Sequence, residues 1–169
     1  GGVNQGLHIV RFLQDNHFNV YTLVARNYQS IADRNSISSA FSADNSGTYG
    51  TIVNSIVNDV AMTVLQDAPT DSATGLLVPT IAVATDGNGT YSTSIITDSG
   101  TVYDIASDST GTAVSVAFDG VSAVVTRSDG TVYVWDDAGD IAADGASPDA
   151  TYSASSTPAL LGTVSKVAA

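Results

Sequence analysis

Two stretches of the chain repeat the same succession of residues, and this repeat limits the folds that the chain can adopt. Residues 83–87 read VATDG and residues 116–120 read VAFDG; each is followed by a run of alternating apolar residues and then by GTVY, at 100–103 and 130–133. Alternating apolar residues are typical of β-strands, and Asp-Gly after such a run is typical of a tight turn. Each copy therefore predicts three strands joined by two turns.

The two copies together predict six strands. They span 78–85, 92–97 and 101–106 in the first copy, and 113–118, 121–127 and 131–136 in the second. A weaker copy, GLHIVRFLQDNHFNVYTL at 6–23, predicts two strands joined by a turn at QDN. A further strand is expected within 52–65, before a loop at 66–79 that contains Pro, Gly and Thr.

The composition favours strands over helices. All 17 acidic residues are aspartate, and Lys166 is the only lysine. Glu and Lys are the residues that fill exposed helix faces, whereas Asp and Gly are frequent in turns. We therefore expect an all-β fold.

The formal net charge of −12 excludes several classes of partner. Nucleic-acid binding requires Lys and Arg side chains that neutralise phosphates, and anionic membrane surfaces attract the same residues. The chain has five Lys and Arg residues and no cysteine, so it also lacks thiolate ligands and disulfides. No apolar run approaches the ~18 residues of a membrane-spanning helix. We expect no nucleic-acid partner and no membrane insertion.

One segment carries a family resemblance. VSVAFDGVSAVVTRSDGTVYVWDDAG at 114–139 resembles one blade of a WD-type β-propeller, in which strands close on Asp-Gly and Trp-Asp. The matching structural landmarks are Asp119, Gly120, Asp129, Gly130, Trp135 and Asp136. IVNDVAM at 56–62, followed by IAVATDGN at 81–88, is similar to the sensor-type propeller repeat. The Gly-His pair that precedes the first strand in the WD family is missing.

The resemblance implies antiparallel propeller-like blades, each a three- to four-stranded meander. Propellers have about four to eight blades, so three units are too few to close a ring. We therefore expect a fragment of a larger propeller, with completion by neighbouring chains or an open array of sheets as the alternatives. The expected divisions are a partial blade at 1–26, a polar connecting loop at 27–51, a blade at 52–108 with the inserted loop 66–79, a blade at 109–141, and a linker with the start of a further strand pair at 142–169.

Several acidic turns are candidate calcium ligands. Asp86 and Asn88 lie in DGNGT, and a similar DNSGT lies at 44–48. Both turns offer oxygen ligands but lack the ordered series of acidic positions and the closing carboxylate of a calcium loop. Ordinary turn formation explains the same residues, and we expect no cofactor other than calcium at such a turn.

A second group of carboxylates follows the Trp-Asp landmark. Asp136, Asp137 and Asp140 could bind a cation, or a sugar backed by Trp135. In the alternative interpretation Trp135 packs between blades and the aspartates cap the turn.

No catalytic residue is predicted. His8 and His17 are the only histidines, and their spacing does not match a metal motif. The chain has no Gly-x-Ser-x-Gly nucleophile elbow. Two aspartates could act as acid and base in a glycan-active propeller enzyme, but the sequence pairs none of them.

These features predict a non-enzymatic structural or binding module. Its rim loops would serve assembly with other copies or other proteins, or recognition of a glycan, in an extracellular or virion structure such as a tail or fibre. The setting is inferred from the Ser-, Thr- and Asp-rich composition by analogy. A propeller-type glycan-active enzyme and an intracellular WD-type interaction scaffold are the alternatives.

Overall fold

The computed structural model describes residues 7–11, 16–20, 25–28, 51–72, 74–107 and 112–153. These residues form three antiparallel sheets and one 3-10 turn at Ala138–Asp140. The all-β fold class and the antiparallel meanders are thereby confirmed.

Each sheet is a meander in which neighbouring strands follow one another along the chain. The N-terminal sheet contains β1 (Leu7–Arg11), β2 (Asn16–Val20) and β3 (Ala25–Tyr28). The middle sheet contains β4 (Val57–Thr63), β5 (Thr80–Thr85), β6 (Tyr91–Ile96) and β7 (Val102–Ser107). The C-terminal sheet contains β8 (Ala113–Asp119), β9 (Ser122–Arg127), β10 (Val132–Trp135) and β11 (Ala150–Tyr152).

The six strands predicted from the repeat match β5 to β10, with each end within two residues of its predicted position. The Asp-Gly turns explain this agreement. Asp119 lies opposite Ser122 in the β8–β9 ladder, so Gly120 and Val121 form a two-residue turn. Gly120 adopts a φ of +62°, which glycine reaches without the steric cost of a Cβ.

Two strands fall where the sequence pattern indicated connections. β3 extends to Tyr28, inside the stretch 27–51 that was expected to be a polar loop. β11 lies in the stretch 142–169, which was expected to hold a linker and the start of a further strand pair, and it pairs with β10. The ATY sequence of β11 is too short to show an alternating pattern, so backbone pairing to β10 defines this strand.

The larger core lies between the middle and C-terminal sheets. Trp135 of the C-terminal sheet packs there with small residues of the middle sheet, which let the two sheets approach closely. The buried members are Ala82, Ala84, Ile95, Ile105, Ala106, Ala113, Val116, Ala123, Val125, Trp135, Ala138 and Ile141. Burial of this apolar surface is the main force that holds the two sheets together.

A second apolar cluster joins the opposite face of the middle sheet to the N-terminal sheet. Leu7 is buried against Ile52, Val83 and Ile96, and Ile9 packs at the edge of the same cluster. The middle sheet is therefore covered on both faces, as the burial of almost every residue of β5 and β6 shows.

Side chains of β4 fasten the edge of β8. Asp59 Oδ2 accepts a hydrogen bond from the Val116 amide (3.1 Å), and Asn58 Nδ2 donates to the Ala113 carbonyl (2.9 Å). Thr63 Oγ1 donates to the Gly120 carbonyl (3.2 Å). The first strands of two consecutive sheets thus lie side by side.

Candidate functional site

A cleft of about 530 Å³ lies at one end of the middle and C-terminal sheets. It is lined by the residues that follow β4 and β6, by the first residues of β5 and β7, by the β8–β9 turn and by the segment after β10. Its volume is within the range of about 300–1,000 Å³ that is typical of small-molecule sites. The same stacking that forms the core therefore leaves a ligand-sized opening at this end.

One wall of the cleft is the segment that follows β10. Trp135 anchors this segment: its side chain is buried, and Nε1 donates to the Ala146 carbonyl (3.1 Å). Asp137 then caps the 3-10 turn by accepting from the Gly139 amide (2.8 Å), and the Ala138 amide donates to the Val121 carbonyl (2.9 Å). This arrangement brings Asp140 to the cleft. Trp135 thus packs between the sheets, as the alternative interpretation of the sequence proposed.

Four aspartates from three separate segments line the cleft. Asp67 follows β4, Asp98 lies in the β6–β7 turn, and Asp137 and Asp140 flank the 3-10 turn. Within the described ranges, the carboxylates of Asp67, Asp98 and Asp140 have no hydrogen-bond partner in the protein. No Lys, Arg or His of those ranges lines the cleft. The site therefore offers hydrogen-bond acceptors and a negative potential.

Thr80 adds a hydroxyl to the cleft that also has no partner. Thr80 lies opposite Thr63 in the β4–β5 ladder, on the same face as Ala82, which packs in the core between the two sheets. The residue is 1% exposed, yet its Oγ1 makes no hydrogen bond. A buried hydroxyl without a partner costs about 1–3 kcal/mol, so its presence needs an explanation.

The predicted calcium ligands are divided between the two ends of the molecule. Asp86 and Asn88 lie in the β5–β6 loop, at the end of β5 opposite the cleft. Asp86 Oδ1 accepts from Asn58 Nδ2 (2.9 Å), and Asn88 Oδ1 accepts from the amides of Thr90 and Tyr91 (2.9 and 3.0 Å). The Asn88 amide group stabilises its own turn, and the Asp86 carboxylate joins that turn to β4.

Asp136, the third member of the Trp-Asp group, is separate from the cleft lining. Its backbone is fastened instead, since its amide donates to Asp149 Oδ2 (2.8 Å) and its carbonyl accepts from Ser122 Oγ (2.8 Å). No cluster of three or more acidic or histidine side chains suited to one metal ion occurs among the described residues.

The remaining landmarks form turns. Gly130 has a φ of +82° in the β9–β10 turn, and Asp129 Oδ1 accepts from the Thr131 amide (2.8 Å). This hydrogen bond lowers the pKa of Asp129, and Arg127 contributes a smaller attraction. Asp129 therefore acts as a turn residue at the end opposite the cleft.

The histidines lie on paired strands of the N-terminal sheet. His8 is opposite Asn19 and His17 is opposite Val10 in the β1–β2 register. Their side chains, and the DNSGT turn at 44–48, lie outside the described residues. The prediction that the chain has no catalytic residue stays a prediction.

A stripe of exposed apolar side chains runs along β4 and includes the residue that follows it. Val60, Met62 and Val64, here called the β4 stripe, are 43%, 70% and 47% exposed. Val60 lies opposite Val83 in the β4–β5 ladder, so both are on the face that the N-terminal sheet covers. Val83 is fully buried there while Val60 is not. The N-terminal sheet therefore does not extend over β4 on this face.

Sequence reasoning identified Asp137 and Asp140 but missed Asp67, Asp98, Thr80 and the β4 stripe. The alternating apolar residues of IVNDVAMTV at 56–64 are the one signal that could have indicated an exposed apolar face. The convergence of Asp67 with Asp98 has no local signal, because it results from the packing of whole sheets.

Comparisons with protein-family models, with curated proteins and with solved structures gave no significant match. The propeller resemblance therefore rests on the residues quoted for it. In the part of the chain that the structure describes, no helix has the length and apolarity needed to span a bilayer.

Proposed function

We propose that the chain is a non-enzymatic structural module of propeller-like blades, which assembles by accepting a strand from a second copy beside β1. The expected setting is an extracellular or virion assembly, on the basis of composition. The observation that carries the proposal is the β4 stripe, an apolar surface on a sheet face that is otherwise buried.

The order of the sheets supports the propeller-like arrangement. The chain runs through the middle sheet from β4 to β7 and then enters the C-terminal sheet at β8, which lies beside β4. Consecutive meanders therefore start at the same edge and stack face to face, which is how propeller blades are arranged.

The two faces of β4 differ in whether a neighbouring sheet packs on them. On one face, β8 of the four-stranded C-terminal sheet lies next to β4 and accepts its hydrogen bonds. On the other face, the N-terminal sheet has three described strands, and the exposure of Met62 shows that none of them covers the stripe. A fourth strand in the N-terminal sheet would lie in the position that corresponds to β8.

The open edge for this strand is β1. Among the described strands β1 pairs only with β2, and Leu7 and Ile9 place β1 over the centre of the middle sheet. Within the described ranges the edge of β1 that faces away from β2 is unpaired, and an unpaired strand edge is a template for an added strand, which the proposal places over the stripe. A second copy carries strands of the same alternating pattern, so it supplies a suitable occupant.

The test is the oligomeric state of the full chain. Multi-angle light scattering over a range of protein concentrations should show self-association of the wild type. The double variant V60K/M62K places two charges on the stripe and should remain monomeric with an unchanged far-UV circular dichroism spectrum.

Tyr152→Lys is the matched control, since Tyr152 is a similarly exposed apolar residue (45%) on β11, in the other outer sheet. It should associate like the wild type. A wild type that stays monomeric at every concentration, or an equal loss of association in Y152K, would refute strand addition at the stripe.

A further inference from the structure

We propose that the cleft between the middle and C-terminal sheets binds a neutral sugar, through hydrogen bonds to Asp98, Asp140 and the Thr80 hydroxyl. This site does not depend on strand addition, because the β4 stripe lies on the other face of the middle sheet.

The charge of the cleft excludes anionic ligands. Four aspartates line it, and the described residues place no cationic side chain beside them. Phosphates, carboxylates and uronic acids would enter an uncompensated negative potential. The ligand is therefore neutral or cationic.

The spacing of the carboxylates argues against a metal ion. Calcium requires about six to eight oxygen ligands, several of them from carboxylates that lie close together. The aspartates of the cleft come from three segments, and within the described ranges no three acidic or histidine groups are near enough to share an ion. Carboxylates at such separations suit a ligand with several donors distributed over its surface.

A pyranose ring has this distribution of donors. Its hydroxyls donate to carboxylates, and such charge-assisted hydrogen bonds are the stronger ones. Its C–H faces need apolar contacts, and the cleft supplies Tyr103, Leu65 and Ile141 beside the acidic groups. The volume of about 530 Å³ accommodates a ligand of this class.

Thr80 is the independent observation that points to a ligand. Thr80 lines the cleft, and its buried Oγ1 has no hydrogen-bond partner among the described residues. Thr93 Oγ1 is the other described side-chain atom with these properties, but Thr93 does not line the cleft. A sugar hydroxyl would give Thr80 the partner that the protein does not provide.

The experiment is a binding assay on the full chain with glucose, galactose, mannose and N-acetylglucosamine, by saturation-transfer NMR and calorimetry. At least one of them should bind saturably, and glucuronic acid should bind more weakly than glucose. Asp98→Asn, Asp140→Asn and Thr80→Val should each lower the affinity by about tenfold, the effect of losing one hydrogen bond in a desolvated site.

Thr93→Val is the matched control, since it removes the other unpartnered hydroxyl. Both Val variants should raise the Tm of the free protein, but only Thr80→Val should weaken sugar binding. V60K/M62K should bind the sugar like the wild type, which separates this proposal from the assembly proposal. No saturable binding of any of the four sugars, binding unaffected by Thr80→Val, or saturable binding of calcium chloride alone would overturn the sugar site.

Discussion

A buried cation and its aromatic partner show how single residues are accommodated in this acidic chain. Arg127 is 4% exposed, and its Nη1 donates to the Tyr133 hydroxyl (3.1 Å). The guanidinium lies 5.7 Å from the centre of the Tyr133 ring, and Asp129 Oδ2 is 3.9 Å away. Buried charge is costly unless it is paired, and here an aromatic face, a hydroxyl and a carboxylate share that role.

Asp104 presents the opposite case, a carboxyl group that is partly buried beside another carboxyl. Burial raises the pKa of Asp104, and the Asp144 carboxylate raises it further, although the hydrogen bond from Ser94 Oγ (2.7 Å) acts in the other direction. The folded state thus binds this proton more tightly than the unfolded state does. Protonation of Asp104 therefore stabilises the folded state. This stabilisation is fully present below 3.8, the pKa of Asp104 in the unfolded chain, and it is lost as the pH rises through the higher pKa of the folded state.

Asp104→Asn should therefore stabilise the protein at neutral pH. Asparagine removes the titration and keeps an oxygen that accepts from Ser94, so we expect the Tm at pH 7 to rise by about 1–3 °C. The gain should disappear near pH 3.5, as measured by thermal denaturation across that interval. Asp119→Asn is the control, because it removes the same charge at an exposed position. A lower Tm for D104N at pH 7 would contradict the raised pKa of Asp104.

At the scale of elements, the loop 142–149 fastens the outer edge of the middle sheet. The Gly145 amide donates to the Asp104 carbonyl (2.8 Å), and Asp144 Oδ1 accepts from the Asp104 amide (2.8 Å). This loop thereby pairs with the Asp104 backbone groups on β7, the edge strand of the middle sheet. Such pairing protects the edge from other chains.

Gly145→Ala should loosen this contact. Gly145 has a φ of +72°, and a Cβ there would lie 2.9 Å from the Tyr91 hydroxyl oxygen. We expect a loss of about 2 kcal/mol in the free energy of unfolding, measured with urea. Gly75→Ala has nearly the same φ (+70°) but open space around it, so it should lose only about 1 kcal/mol. Equal losses for the two variants would mean that the contact with Tyr91 is unimportant.

The elements differ in how far the sequence specifies them. β5 to β10 were predictable because Asp-Gly turns set the hairpins and alternation sets the faces. β11 was not, since ATY at 150–152 carries no pattern of its own and forms by pairing with β10. Two of the four aspartates in the cleft, Asp137 and Asp140, were predictable because they follow Trp135. Asp67 and Asp98 were not, because only sheet packing brings them there.

At the scale of the whole molecule, the described residues form a stack of three sheets, and the contacts of β4 with β8 couple two of them. Asp59→Ala removes the acceptor for the Val116 amide on the edge strand β8 and should cost about 1–2 kcal/mol. Asp137→Ala is the control, because Asp137 Oδ1 accepts from the Gly139 amide within its own turn. It should cost less.

The Asp59→Ala variant also reports whether the sheets unfold together. Trp135 is the only tryptophan and is buried in the core between the middle and C-terminal sheets, so its fluorescence follows that core, whereas far-UV circular dichroism follows all three sheets. The two urea transitions should coincide in the wild type and in Asp59→Ala. Separate transitions would show that the sheets are independent units.

Enclosure of the middle sheet on both faces has a consequence for solvent access. β5 and β6 are inner strands whose backbone groups are paired on both sides, and Ser92, Thr93 and Ser94 are fully buried between the neighbouring sheets. Their amides can reach water only when a whole layer detaches. These amides should therefore be the last to take up deuterium, and their exchange rates should report the opening of the entire stack.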